Sequence, residues 1–364
     1  MPRLRIKIQL RQILDIYVRL WYNVFIMKAY RIHAPHTIQL DEMDALPVGE
    51  KCVKLKNLMC GITSLDVGVY EGRIKAECPI IPVHQCVGFV SEVGESVTAL
   101  QRGKRVVTYP QASCHGCKAC KESRYFDCEK PVVFGVGEDG FLSDFSVVSE
   151  DDVYIIPDRI KDEEAVFIEN VARSLNALSH MNVDKGDQIV IMGATVDGII
   201  MAQAAMYYQA VPIVVDMRDD MLALAQKAGV YFIVNAVNED VCKKILSLTG
   251  GRMADACAYF VNSGLPLQSA CDYTKSRGKI AVIGNAGEAN LTCNVSDLLR
   301  KNLDLFTVVD CGKNFSSAIN LLANRTVSVE SLCEKTVSFA DVPETFEAMS
   351  ENEESAPLKT IVKM

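Results

Sequence analysis

Gln188-Ile-Val-Ile-Met192, Val211-Pro-Ile-Val-Val-Asp216 and Tyr231-Phe-Ile-Val234 are short, continuously apolar and rich in β-branched residues. Stretches of helical spacing separate them, such as Met221-Leu-Ala-Leu-Ala-Gln-Lys-Ala228. A strand that is apolar on both faces has to be covered on both. This alternation therefore predicts a parallel sheet flanked by helices, a doubly wound α/β arrangement. Lys279-Ile-Ala-Val-Ile283 continues the series, and Leu305 to Val309 is the expected edge strand.

The turn after the first of these strands reads Gly193-Ala-Thr195-Val-Asp197-Gly198, and an apolar helical stretch follows it. This is G-x-G-x-x-G with the middle glycine replaced by threonine. Its position between strand and helix, with Asp216 ending the next strand, makes Gly193, Thr195, Gly198 and Asp216 a candidate dinucleotide cradle. Asp216 suits a ribose diol and repels a 2′-phosphate, which favours NAD over NADP; its alternative reading is a strand-end turn acid. Thr195 brings a branched side chain where backbone should approach a pyrophosphate. Asp197 adds negative charge at a helix N-terminus, unless it serves as the helix cap.

Before this region, from Met27 to about Val153, short alternating runs broken by Gly and Pro predict an all-β unit. The 364 residues, 49% hydrophobic and 23% charged, have the makeup of a globular protein of more than one domain. The division expected is an N-terminal extension at 1–26, a β-rich domain at 27–170, the parallel-sheet domain at 171–309 and a return to the β-rich domain at 310–364. A formal charge of −8 argues against nucleic acid and acidic membranes as partners. The first 26 residues carry five basic residues against the single acid Asp15, and read either as an upstream extension before Met27 or as a basic docking or targeting segment. No run is long and uncharged enough to span a membrane.

Ten of the fourteen cysteines are scattered, as buried thiols of a reducing compartment would be, which points to the cytoplasm. The other four form Cys114-His-Gly-Cys117-Lys-Ala-Cys120 followed by Cys128, a C-x2-C-x2-C-x7-C pattern. Four thiolates close a tetrahedral shell around one zinc with no open position, so one structural zinc per chain is expected here. Lys118, Lys121 and Arg124 are placed to offset the excess negative charge.

The lobe resembles that of the zinc-type medium-chain alcohol and polyol dehydrogenases, including sorbitol, threonine and sugar-acid dehydrogenases. The resemblance runs from Met27 to the C-terminus through Gly61-Ile62, Asp66, Tyr70 and Gly72; Val83-His84, Gly88, Glu92 and Gly94; Ile168-Glu169; Gly250-Gly-Arg252; and Gly278-Lys-Ile-Ala-Val-Ile-Gly284. It implies a GroES-like β-rich catalytic domain joined to a Rossmann domain, a nicotinamide cofactor, hydride transfer with a small alcohol or carbonyl, and a homodimer or homotetramer.

The resemblance also implies a catalytic zinc, and here the chain departs from the pattern. Thr63 stands where the family carries a cysteine ligand, Leu65 where it carries a proton-passing hydroxyl, Gly68 where many members carry a relay histidine, and Gln85 where a glutamate follows the histidine. His84, Glu169 and Asp66 remain as candidate catalytic residues. His84 and Glu169 alone are fewer than the three protein ligands a catalytic zinc needs, so at most weak binding of a second metal is expected. His84 reads equally as a core histidine bonded to Asp66. Cys60 and Cys86 lie near enough in sequence to serve as substitute ligands if the backbone re-aims them. Two functions follow from these departures: an NAD-dependent oxidoreductase with a departed zinc site, or an inactive relative that binds or assembles without turnover.

Overall fold

The structure is a computed structural model and describes residues 26–44, 46–122, 124–284, 290–333, 335–351 and 359–364. The readings of the N-terminal extension lie outside the described residues, apart from Ile26.

Six parallel strands form the nucleotide-type sheet in the order Phe232–Asn235, Val211–Asp216, Gln188–Met192, Ala254–Phe260, Thr274–Ile283, Asp304–Val308. The order reverses beside Gln188–Met192, so the chain leaves that strand and its neighbour Ala254–Phe260 toward opposite sides. The crevice at their carboxyl ends is where such sheets take ligands. Ile189, Val190, Ile191 and Met192 are wholly buried, as the continuous apolar run requires. Each such side chain contributes about 1.5–3 kcal/mol over an exposed one. Ile189 and Ile191 join one core cluster and Val190 and Met192 another, because alternate side chains face opposite helix layers.

A second, mostly antiparallel sheet has the order Lys335–Ser338, Thr360–Lys363, Cys52–Ile62, Gln85–Val93, Arg105–Thr108, Val153–Ile155, with Phe145–Ser149 also pairing Cys52–Ile62. The C-terminal strand returns to this sheet, pairing Val362 with Cys60. The helix Ile168–Met181 packs its buried side chains into the core shared with the nucleotide-type sheet, and its first turn faces the β-rich unit.

Two expectations are corrected. The region 27–153 is not all-β: the helix Ser64–Tyr70 interrupts it, started by Thr63, whose backbone N–H donates to Asp66 Oδ2 at 2.7 Å. Thr63 with Asp66 three residues on is a helix-start pattern, and β-type texture on either side masked it. The strand expected from Tyr231 begins at Phe232, leaving Tyr231 83% exposed. The strand expected near Leu305 to Val309 lies at the sheet edge as Asp304–Val308.

Candidate functional site

The cysteine lobe is pinned at its base by a short antiparallel pairing of Gln111–Ala112 with Val132–Val133. The four Sγ atoms of Cys114, Cys117, Cys120 and Cys128 lie within 4.8 Å of one another, and Cys114 and Cys120 are 4.0 Å apart. A zinc–sulfur bond of about 2.3 Å in tetrahedral geometry requires sulfurs roughly 3.8 Å apart, so the cage fits the ion with only a small contraction. Backbone N–H groups already point at the sulfurs: Cys114 N–H donates to Cys128 Sγ at 3.3 Å and Cys120 N–H to Cys117 Sγ at 3.4 Å. Such donors favour thiolate, and hydrogen bonds from the backbone at Glu129 and Cys120 bring the Cys117 thiol down to about 6. Arg124 does not balance the cage as the sequence suggested, because Glu122 and Asp127 hold its guanidinium.

The second constellation lies between the two sheets. Asp66 Oδ2 accepts from both the backbone and the hydroxyl of Thr63, each at 2.7 Å, and its Oδ1 faces His84 Nδ1 at 3.3 Å. His84 Nε2 lies 3.2 Å from Glu169 Oε2, the oxygen that also accepts from the Gln85 amide. Glu169 Oε1 accepts from Arg173 Nη1 at 3.1 Å, and Arg173 Nη2 donates to Asp197 Oδ1 at 3.0 Å. Asn170 donates to the same Asp197 oxygen at 2.9 Å and accepts from Lys359 Nζ at 2.7 Å. A continuous polar chain thus runs from the C-terminal segment to the helix Ser64–Tyr70.

Burial opposes charge throughout this chain, and opposite partners overcome it at most positions. Burial alone would lower the His84 pKa, but Glu169 and Asp66 outweigh it and raise it to about 10. Burial would raise Glu169; the facing His84 and Arg173 hold it well below the usual carboxylate range. Lys359 goes the other way: its burial lowers the ammonium to about 8 despite Glu169 and Asp197. Asp66, His84, Glu169, Arg173 and Asp197 thus form one connected set of ion pairs, with Lys359 joined to it through Asn170.

The donor set does not fit a catalytic zinc. The 3.2 Å between His84 Nε2 and Glu169 Oε2 is close to the spacing of two ligands on one zinc, so distance does not decide the question. A third ligand is missing. Among the described residues, the lobe cysteines are the one group of three or more His, Cys, Asp or Glu with converging ligand atoms. Cys60 and Cys86 do not compensate: they face each other across paired strands in the core of the β-rich unit, where Cys60 Sγ donates to Phe141 O at 3.3 Å. Strand alternation places Gln85 on the face toward Glu169 and Cys86 on the opposite one. Leu65 and Gly68 are buried on the helix Ser64–Tyr70 and bring no polar group.

At the nucleotide-type turn, Gly193 adopts φ 110°, and a Cβ on Gly198 would lie 1.9 Å from Gly193 O. Only glycine permits that approach of helix to strand. Thr195 Oγ1 accepts from Gly198 N–H at 3.1 Å and is the helix cap, so Asp197 is not. Asp216 is buried and accepts from the backbone N–H of Ala194 at 2.6 Å and of Arg218 at 2.8 Å. Each carboxylate oxygen has a second lone pair free for a ribose hydroxyl. These residues fit a dinucleotide.

His84, Glu169 and Asp66, singled out in the sequence, lie together in the structure, which adds Arg173, Asn170 and Lys359 that sequence reasoning missed. The available signals were the Glu169–Arg173 pair at i,i+4 spacing in a helical stretch, and a lysine leading into Thr360-Ile-Val.

A parallel sheet with a nucleotide-type turn and a β-rich unit with a cysteine cage together define a two-domain dehydrogenase architecture. The alcohol dehydrogenase GroES-like domain family matches residues 49–158, and the zinc-binding dehydrogenase family matches residues 198–324. The chain belongs to the zinc-type medium-chain alcohol dehydrogenase superfamily. It is 28% identical over 327 residues to a sorbitol dehydrogenase of Bacillus subtilis, covering 88% of this chain and 93% of that protein. Its fold is similar to that of a Sinorhizobium meliloti zinc-binding dehydrogenase bound to NADP, with a TM-score of 0.85, 20% identity, and coverage of 93% and 100% of the two chains. An Escherichia coli alcohol dehydrogenase complexed with NADH has the same fold, with a TM-score of 0.83, 22% identity, and coverage of 93% and 99%. Among the described residues no helix is long and apolar enough to cross a membrane.

Proposed function

We propose that this protein is an NAD(H)-dependent oxidoreductase acting on a small alcohol, polyol or sugar acid, or on the corresponding carbonyl, without a catalytic zinc. The carrying observation is the ion-pair chain in which His84 bridges Asp66 and Glu169 while Arg173 and Gln85 complete the shell of Glu169. When bound, the nicotinamide supplies or accepts hydride. His84 holds a proton at Nε2 directed at Glu169 Oε2, and a pKa near 10 keeps the ring protonated at neutral pH, so a carbonyl oxygen that displaces the Glu169 contact can receive that proton. Asp66 orients the ring, and Glu169 stabilises the imidazolium. Gly193, Thr195 and Gly198 form the pyrophosphate turn, and the buried Asp216 supports NAD over NADP.

The cysteine cage holds one structural zinc, and the exposed edge strand Asp304–Val308 pairs with a second copy to make a homodimer, or a homotetramer by further contacts. All fourteen cysteines are free, which supports a cytoplasmic location. The test is a panel of polyols, hydroxy acids and their ketones with NAD or NADH. Turnover should survive a chelator that spares the lobe and fall at least about a hundredfold in His84→Gln. Absence of turnover with every substrate would favour the second reading, a non-catalytic binding or assembly protein. Leu65 in place of a proton-passing hydroxyl and Thr195 in the turn support that reading.

A further inference from the structure

The Arg173–Asp197 ion pair occupies a position that neither the structural zinc nor the proton chemistry explains. Asp197 sits in the first turn of the helix that begins at the dinucleotide cradle, one residue before Gly198. Glu169, with His84, marks the candidate chemical site. A dinucleotide whose pyrophosphate rests at the cradle has to extend its reactive ring from there toward His84. One side chain bridges the two ends of that path: Arg173 bonds Glu169 Oε1 at 3.1 Å with one nitrogen and Asp197 Oδ1 at 3.0 Å with another. A guanidinium is a rigid planar fork, so the two carboxylate oxygens it joins lie no more than roughly 8 Å apart, with the fork filling the interval.

The pair is also well held. Arg173 is only 12% exposed and Asp197 21%. Asn170, itself anchored by Lys359, gives Asp197 a second donor. Arg173 Nε is buried and has no hydrogen-bond partner among the described residues, so this guanidinium is packed in place and not fully satisfied by them.

We propose that Arg173 and Asp197 form a latch across the route from the dinucleotide turn to His84, so that the adenine-bearing half of NAD binds freely while the nicotinamide ring is seated only when the pair parts. This rests on the cofactor reading given above. It makes Arg173 and Asp197 positioning residues that set which part of the cofactor contributes binding energy.

The experiment compares the affinities of NADH and ADP-ribose for the zinc-loaded full chain by calorimetry, with nicotinamide fluorescence recorded for NADH. The readout is the ratio of the two dissociation constants, because a change of charge at Asp197 acts on the pyrophosphate of both probes alike and cancels. In the native protein the two affinities should agree within about threefold, with little change in nicotinamide emission. In Arg173→Ala, NADH should tighten by at least about tenfold while ADP-ribose stays level, and Asp197→Asn should shift the ratio in the same direction. Retained ADP-ribose binding shows that a variant is folded. NADH that already binds tenfold tighter than ADP-ribose in the native protein, or a ratio near one that persists in Arg173→Ala, would overturn the latch and leave the cofactor reading standing. Failure of the native protein to bind ADP-ribose would overturn both.

Discussion

Raising the pH from about 6.5 to 8 should destabilise this protein through His84 specifically. The imidazole is buried between two carboxylates, and its pKa in the folded protein is raised from 6.5 to about 10. Because the folded state holds the proton more tightly than the unfolded chain, the stabilisation is fully present below pH 6.5. It is lost as pH rises toward 10, at about 1.4 kcal/mol per unit. Over the first one and a half units the loss is about 2 kcal/mol, a large share of a typical domain's stability. Lys359 acts in the opposite sense. Burial lowers it to about 8, so the folded state gives up that proton before the unfolded chain does, and stability is regained between pH 8 and 10.5. The two effects oppose each other between pH 8 and 10, where the profile should flatten. Urea unfolding of the zinc-loaded protein across pH 6.5 to 8, beside His84→Gln, isolates the effect, since contributions from the lobe thiols cancel in the difference. The native protein should lose about 2 kcal/mol more than the variant over this window. Equal slopes would refute the argument that His84 is a buried imidazolium.

Cys117→Ser should release the lobe zinc and make residues 114–128 the first site of proteolysis, measured by metal content and limited digestion; retained zinc would count against the four-thiolate cage. Thr63→Cys combined with Gln85→Glu restores the missing cysteine ligand and places a second carboxylate against Glu169. Its thermal stability should therefore become zinc-dependent, rising by several degrees, on the order of a 1–2 kcal/mol effect, on addition of the metal. Leu305→Lys, on the exposed edge strand, should convert a dimer to a monomer in light scattering at micromolar concentration.

The parallel sheet was legible because the continuous apolar runs from Gln188 and Val211 have only one economical burial, and both strands have the bounds expected. The cysteine cage was legible for a related reason: its spacing is set by local chain geometry around one ion. The candidate site was legible only in its sequence-local parts. Asp66, His84 and Glu169 could be picked out from short motifs, whereas Lys359 joins through a contact between segments far apart in the chain, and Arg173 and Asn170, though close to Glu169 in sequence, take Asp197 as a partner from another element. The Lys359–Asn170 bond, for example, spans 189 positions. The helix Ser64–Tyr70 escaped notice because strands surround it, and the facing of Cys60 and Cys86 depended on register, which a residue pattern with small and apolar residues on both faces leaves open.

The central claim is that the charge chain from Asp66 to Lys359 stands where the superfamily carries a catalytic metal. Metal analysis by mass spectrometry on protein purified without chelators, with zinc counted per chain after dialysis against a zinc-buffered solution, tests it directly. The account predicts about one tightly bound zinc per chain, lost when the lobe cysteines are replaced and unaffected by His84→Gln or Glu169→Gln. Two tightly held zinc ions, the second of them lost in His84→Gln, would contradict it.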